Sequence, residues 1–395
     1  MGVRRALLFL VLVEAANPGA QAQSFFGSVG IENAVGVERG STALVAPVDV
    51  PTALFTLDSF GSEDVGPWVS SLTFALPGVI TATDQLDVTA VVAGPGEVAR
   101  DELRAAGLGY RLRPWDAETT LYFTASFAEV TPDGTLTGPL SIDGSRRLLG
   151  VGVRRSIETD DAITDYVLEF RARESKGRSF RTPVLDERIA AVFLGVRRAT
   201  GQPFEVQTRL GAAVSAGVAE FGDSMPSGVL ASVPGAAEQF LRASASAEAS
   251  VPLSPVLAIN AGVVGQWSSA PLTVSQRCGF GTNAYSRGFD QSEILGDICL
   301  SGRVELAANA FLPSSDGSSL WLQPYAGIDG GYFQNLATRF FGTSTGDWSS
   351  ASIGLRALGA DWIGEIALTS IFIAPPIAIS MSGEERLWLR AGLRF

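Results

Sequence analysis

The chain has 395 residues, 46% hydrophobic and only 18% charged, with a formal net charge of −12 at pH 7. That acidic balance argues against a nucleic-acid partner, whose phosphates it would repel. A mean hydropathy of +0.23 points to a membrane protein, yet beyond the N-terminus no stretch approaches the ~18 uninterrupted apolar residues of a spanning helix, so the apolar residues must alternate along strands.

In chain order, Arg4 and Arg5 precede an apolar run from Ala6 to Val13 and then Ala20-Gln21-Ala22. This is the order of a secretory signal, so 1–22 is predicted as a signal peptide and 23–395 as one outer-membrane β-barrel domain. Glu14 ends the apolar run too early for it to serve as an anchor.

Period-two alternation predicts sixteen strands near 25–36, 68–76, 85–93, 107–113, 119–128, 147–156, 163–173, 188–199, 205–218, 239–253, 255–267, 300–312, 319–331, 350–359, 361–373 and 385–395. The clearest case sets Leu241, Ala243, Ala245, Ala247, Ala249 and Val251 against Arg242, Ser244, Ser246, Glu248 and Ser250. The last strand sets Leu387, Leu389, Ala391, Leu393 and Phe395 against Arg386, Trp388, Arg390, Gly392 and Arg394. Its three arginines belong in a wet lumen, because one facing lipid near the midplane costs ~2–4 kcal/mol. The odd-numbered connections (37–67, 94–106, 129–146, 174–187, 219–238, 268–299, 332–349, 374–384) are long and the others short. The expectation is therefore an all-β fold: a sixteen-stranded antiparallel transmembrane barrel with outer loops on one side and periplasmic turns on the other.

Within the sixth long connection stands Cys278-Gly279-Phe280-Gly281-Thr282-Asn283-Ala284-Tyr285-Ser286-Arg287-Gly288-Phe289, followed by Gly296-Asp297 and, beyond Cys299, by Glu305-Leu306. This string resembles the Gly-Gly, Val-Arg-Gly-Phe/Tyr, Gly-Asp and Glu-Leu succession of the haemolysin-activator transporters of two-partner secretion. Their superfamily pairs a sixteen-stranded barrel with periplasmic POTRA domains. Gly30-Ile31-Glu32-Asn33 resembles an element of the family's first strand, and Asp84-Gln85-Leu86 the Asp-x-Leu after its second. Leu272 to Gln276 resembles the segment before the glycines, and Gly327 to Gly331 the strand that receives the loop.

The resemblance implies a sixth outer loop folded back into the lumen and anchored by Arg287, with Gly288 passing close to the wall and Phe289 packing at the bend. Asp329 matches the family's receiving aspartate and is the expected partner of the Arg287 fork. Phe395 matches the terminal aromatic by which such barrels are handed to the assembly machinery. Ser286, Phe280, Gln276-Arg277 and Gly327 depart from the family pattern. With a first strand near 25, a signal ending at 22 leaves no room for POTRA domains, so a separate periplasmic POTRA protein is an expected partner. Cys278 and Cys299 bracket the loop tip, and in an oxidising compartment they are predicted to form a disulfide that restricts the unfolded loop by ~3 kcal/mol.

The expected function is an outer-membrane polypeptide translocation pore whose client is an unfolded secreted chain. The alternatives are a plugged structural or adhesion barrel, and a diffusion channel made anion-preferring by Arg111, Arg113, Arg171, Arg173, Arg390 and Arg394. No enzyme is expected: Gly342-x-Ser344-x-Gly346 matches a nucleophile elbow, but the chain has no histidine base. That absence, with only two cysteines, also argues against a metal, and no cofactor is predicted.

Overall fold

A computed structural model describes residues 50–395 except 60–67, 95–102, 117, 131–141, 180–181, 202–205, 219–231, 234, 282–284, 290–292, 314–318, 338–344, 360, 376–377 and 379–380. The predicted signal, the predicted strand 25–36, the Gly30–Asn33 element and Gly342–Ser344 lie outside these residues.

The strands in chain order are β1 (Thr52–Asp58), β2 (Trp68–Pro77), β3 (Gln85–Gly94), β4 (Leu103–Leu112), β5 (Thr119–Val130) and β6 (Ile142–Glu158). Then come β7 (Ala162–Ser179), β8 (Thr182–Thr200), β9 (Gln207–Gly217), β10 (Leu241–Pro252) and β11 (Leu257–Ser268). Two short strands, β12 (Cys278–Phe280) and β13 (Ile294–Gly296), pair only with each other. The chain ends with β14 (Ile298–Ala308), β15 (Ala310–Pro313), β16 (Ser319–Gln334), β17 (Thr345–Leu358), β18 (Trp362–Ile373) and β19 (Glu385–Arg394).

Successive wall strands pair antiparallel, and β1 pairs with both β2 and β19, so the sheet closes on itself. β14 and β15 are one strand interrupted at Asn309, since both pair with β16. The wall is thus a sixteen-stranded antiparallel barrel. Alternation separates its faces. In β3, Gln85, Asp87, Thr89, Val91 and Ala93 are buried while Val88 and Val92 are exposed. Ile353, 60% exposed, and Leu149, Leu168, Leu194 and Ile328 belong to the outward apolar band that lipid would cover. A closed barrel leaves no unpaired sheet edge within the bilayer, which is why strands can cross it at all.

Two expectations are corrected. The first wall strand is Thr52–Asp58, inside the predicted first loop: its Thr56 and Asp58 are buried, and its neighbours are the second strand and the last. The predicted fourth outer loop, 174–187, is strand. β7 and β8 stay paired as far as Ser179 with Thr182, and Glu174 meets Arg147, Lys176 and Arg188 on neighbouring positions. Charged residues read as loop because they break the apolar pattern, but paired across a ladder they extend both strands. The remaining long connections alternate with short turns as expected, and the sixth spans 269–297.

Candidate functional site

The inner faces of β14, β16, β17 and β18 carry an unusual concentration of charge. Arg356 of β17 grips Glu305 of β14 with both fork nitrogens, Nη1 to Oε1 and Nη2 to Oε2, each at 2.7 Å. Its Nε donates to Glu365 Oε1 of β18 at 3.3 Å, and the Tyr325 hydroxyl donates to the same oxygen at 2.8 Å. Period two places all four on the lumen side of adjacent strands, where they are partly or fully buried.

Arg287 enters this cluster from the sixth long connection. Its Nη1 donates to Glu305 Oε2 and to Ser352 Oγ, both at 3.2 Å, Nη2 lies 3.9 Å from Glu365 Oε1, and the guanidinium stacks 4.8 Å from the Tyr325 ring centre. Arg356 covers the same ring at 4.0 Å. Two carboxylates therefore face two guanidinium groups around one aromatic, a geometry in which each charge has a hydrogen-bonded counter-charge.

Asp329, the partner expected for the fork, holds a different contact. Its Oδ1 accepts from Ser350 Oγ at 2.7 Å and its carboxylate takes the backbone N–H of Arg287. Asp329 thus grips the main chain at the tip, while Glu305 and Glu365 grip the side chain.

Gly288 sits hard against the wall. A Cβ there would lie 2.8 Å from Ile371 Cγ1 and 2.9 Å from Ser350 Cβ, closer than carbons pack, so the position admits only glycine. Phe289 is fully buried in an apolar cluster with Cys278, Phe280, Tyr285 and Ile294 from the connection and Val264, Phe333, Trp348 and Ile371 from the wall. Phe280 and Trp348 meet at 4.7 Å between ring centres. Burying each such side chain is worth roughly 1.5–3 kcal/mol.

The base of the connection has its own hub. Asp297 accepts from the N–H groups of Leu272 at 2.8 Å and Leu336 at 2.7 Å, and from Arg277 Nε at 3.1 Å. Arg277, a departure from the family pattern, is therefore the cation that lets a carboxylate be fully buried here. Gly296 pairs with Cys278 in the β12–β13 ladder, and Cys278 forms a disulfide with Cys299 of the wall strand β14. Phe395 lies apart from this site at the closing seam, exchanging backbone hydrogen bonds with Ala53.

The structure brings Arg287, Gly288, Phe289, Glu305 and Asp329 together, with Cys278, Cys299, Gly296 and Asp297 at the base. Sequence reasoning missed Glu365, Tyr325, Ser352 and Arg356. Their signal was a polar residue at an inward position of a strand, which they share with many others. Of the predicted lumen arginines, Arg111 pairs with Asp87 at 2.7 Å and Arg390 with Glu365 at 3.7 Å. Arg394 instead meets Asp361 at the exposed rim, at 3.5 Å. Among the described residues no group of His, Cys, Asp and Glu has the arrangement of a metal site.

Residues 47–357 match the family described as haemolysin secretion/activation protein ShlB/FhaC/HecB. Among solved structures, CdiB from Escherichia coli is similar, with a TM-score of 0.74 and 17% identity, over 89% of this chain and 64% of that one. CdiB from Acinetobacter baumannii gives 0.65 and 16%, over 89% and 61%. BamA from Haemophilus ducreyi lacking POTRA domains 1–3 gives 0.60 and 10%, over 89% and 71%. The chain spans less than two thirds of either CdiB chain, and at these identities the likeness is one of fold. No curated protein matches the chain.

Proposed function

Because the chain belongs to the ShlB/FhaC/HecB haemolysin secretion/activation family, we propose that this outer-membrane barrel is a translocation pore for an unfolded polypeptide. In this reading the sixth long connection lies folded in the lumen and closes it until a client displaces its tip. The observation that carries the reading is Arg287, held by Glu305, Ser352 and Glu365 from three different wall strands. A merely structural loop needs no buried cation clasped by the wall, because an apolar core of the same volume would hold as well or better. Ion pairs with several partners can be exchanged one at a time. An extended client carrying its own charges and backbone hydrogen-bonding groups could therefore replace them without exposing an unpaired charge.

The sequence of events follows from the contacts. The Asp297 hub and the Cys278–Cys299 bond fix the base of the connection to the wall. Arg287, Gly288 and Phe289 are then the contacts that a client would displace. Release of Arg287 and Phe289 would open the lumen along the inner faces of β14 to β18.

Single-channel recording of the purified barrel in planar bilayers tests this. Wild type is expected to be mostly closed, and Arg287→Ala to show openings several-fold larger or more frequent. Equal, steady, anion-selective current in both would instead favour a diffusion channel, and no current in either a scaffold.

A further inference from the structure

The inner wall twice builds the same joint from its own strands. Tyr122 of β5 lies across from Gly152 of β6, where a Cβ would come within 2.5 Å of its Cζ, and its hydroxyl donates to Glu169 of β7 at 3.0 Å. Tyr325 of β16 lies across from Gly354 of β17 in the same way, also at 2.5 Å, and its hydroxyl donates to Glu365 of β18 at 2.8 Å. In each joint the side chain that glycine lacks makes room for a phenol ring, and a glutamate accepts from the hydroxyl.

A third slot of this kind is filled from outside the wall. Glu248 of β10, Gly262 of β11 and Arg303 of β14 stand side by side in one cross-strand row, so their positions share a face. The ring over Gly262 belongs to Tyr285 of the sixth connection: a Cβ on Gly262 would lie 2.7 Å from the Tyr285 hydroxyl oxygen and 3.3 Å from its Cζ. That hydroxyl donates to Glu248 Oε1 at 2.8 Å. Arg303 lies 5.1 Å from the ring centre, and its Nη2 donates to the same glutamate oxygen at 3.3 Å. Tyr285 is 2% exposed, so its hydroxyl depends on this acceptor. The row runs on into the Arg287 site, because Arg303 is paired with Asp329 and Asp329 with Ser350. Tyr285, the main chain of Arg287 and Gly288 thus rest in turn on Gly262, Asp329 and Ser350.

We infer that Glu248, Gly262 and Arg303 form a subsite for a tyrosine side chain, occupied by Tyr285 while the tip is seated and by a tyrosine of the client once the tip leaves. The slot selects a planar ring, because Gly262 lies beneath it and the guanidinium of Arg303 faces it. It selects a hydroxyl, because without one Glu248 loses a donor. Phenylalanine meets the first demand alone, and an aliphatic side chain meets neither. Exchange of one tyrosine for another keeps every contact of the slot, so a client can take the place of the tip without leaving a buried acceptor unmet. The client's part rests on the translocation reading, whereas the slot stands on its contacts alone.

The slot is tested on the full-length barrel in detergent micelles. Tyr285→Ala, verified by the heat-modifiable gel migration of a folded barrel, should gain unfolding temperature saturably with p-cresol, which is the tyrosine side chain alone. Toluene, which has the same shape without the hydroxyl, should act at least several-fold more weakly. Wild type, whose slot is full, and Tyr285→Ala/Gly262→Ala, whose slot has lost its depth, should show no such gain. If Tyr285→Ala does not fold, Tyr285→Phe decides: it should unfold below wild type, and the difference should at least halve in a Glu248→Gln background. Equal responses to p-cresol and toluene, the same gain in wild type, or a Tyr285→Phe barrel as stable as wild type would each overturn the slot. The client's part is read in planar bilayers, where an uncharged Gly-Ser peptide carrying tyrosines should block the Arg287→Ala channel at several-fold lower concentration than the same peptide carrying phenylalanines. Equal block overturns the client's tyrosine and leaves translocation standing. An Arg287→Ala channel that stays closed overturns the translocation reading and the client's part with it, while the unfolding measurements still decide the slot.

Discussion

Glu305 accepts three charge-assisted hydrogen bonds from two arginines, and its side chain is only 5% exposed. Removing its charge would leave Glu365 alone to face both Arg287 and Arg356, so Glu305→Gln is expected to cost ~2–3 kcal/mol of barrel stability, read from thermal unfolding in micelles. Gly288 makes a steric rather than an electrostatic prediction. In Gly288→Val the new carbons would run into Ile371 and Ser350, so the tip must leave the wall, and the channel openings predicted for Arg287→Ala should appear with Arg287 still present. An unchanged closed channel in Gly288→Val would remove the tip from the gating scheme. Arg287 stood out in the sequence because its neighbours carry a motif. Its carboxylates did not, because which inward residue meets the tip depends on the stagger of strands far apart in sequence. Asp329 was the expected partner, yet it lies where only the main chain of Arg287 reaches it.

Among the elements, the sixth connection combines a covalent tie with a charged hub. Cys278 and Cys299 are separated by 21 in sequence, so opening the bond restores ~3 kcal/mol of freedom to the unfolded loop. Cys278→Ser/Cys299→Ser is expected to unfold several degrees lower than wild type, and reduction of wild type should reproduce the shift. The β2–β3 turn predicts a pH dependence. Asp84 accepts from the N–H groups of Val79, Ile80 and Thr81 and from the Tyr110 hydroxyl, at 2.7 to 2.8 Å. Burial alone would raise its pKa, but these donors outweigh it and hold the carboxyl below its ordinary value. A depressed pKa means that the stabilisation is complete above the unfolded carboxylate range, about pH 4, and is lost as pH falls through the folded value. Asp84→Ala should therefore unfold at lower temperature than wild type at pH 7, by ~1–2 kcal/mol, and the gap should close in acid. An Asp-x-Leu string points to this turn in the sequence. The hairpin of β7 and β8 was hidden, since its charged ends match loops until Glu174 is set across from Arg147 and Arg188.

The whole molecule depends on one seam. β1 and β19 share a ladder from Leu54 with Arg394 to Asp58 with Arg390, and Phe395 adds two backbone hydrogen bonds to Ala53, at 2.8 and 3.0 Å. Phe55→Pro would delete a donor within that ladder, and a closed barrel has no other place to absorb the loss. The expected result is loss of the heat-modifiable folded form, whereas the same change at an exposed loop position should leave it intact. The sequence by itself determined the class: alternating apolar residues without long apolar runs, an even number of strands, long connections alternating with short ones, and a terminal aromatic strand. These are legible because the two-residue period is a local property, set by pleating, that each strand displays alone. Only the tertiary structure decided that Thr52–Asp58 closes the wall and that Glu305 and Glu365 hold Arg287. Each of these depends on closure and stagger, which bring together side chains that the sequence keeps tens to hundreds of residues apart.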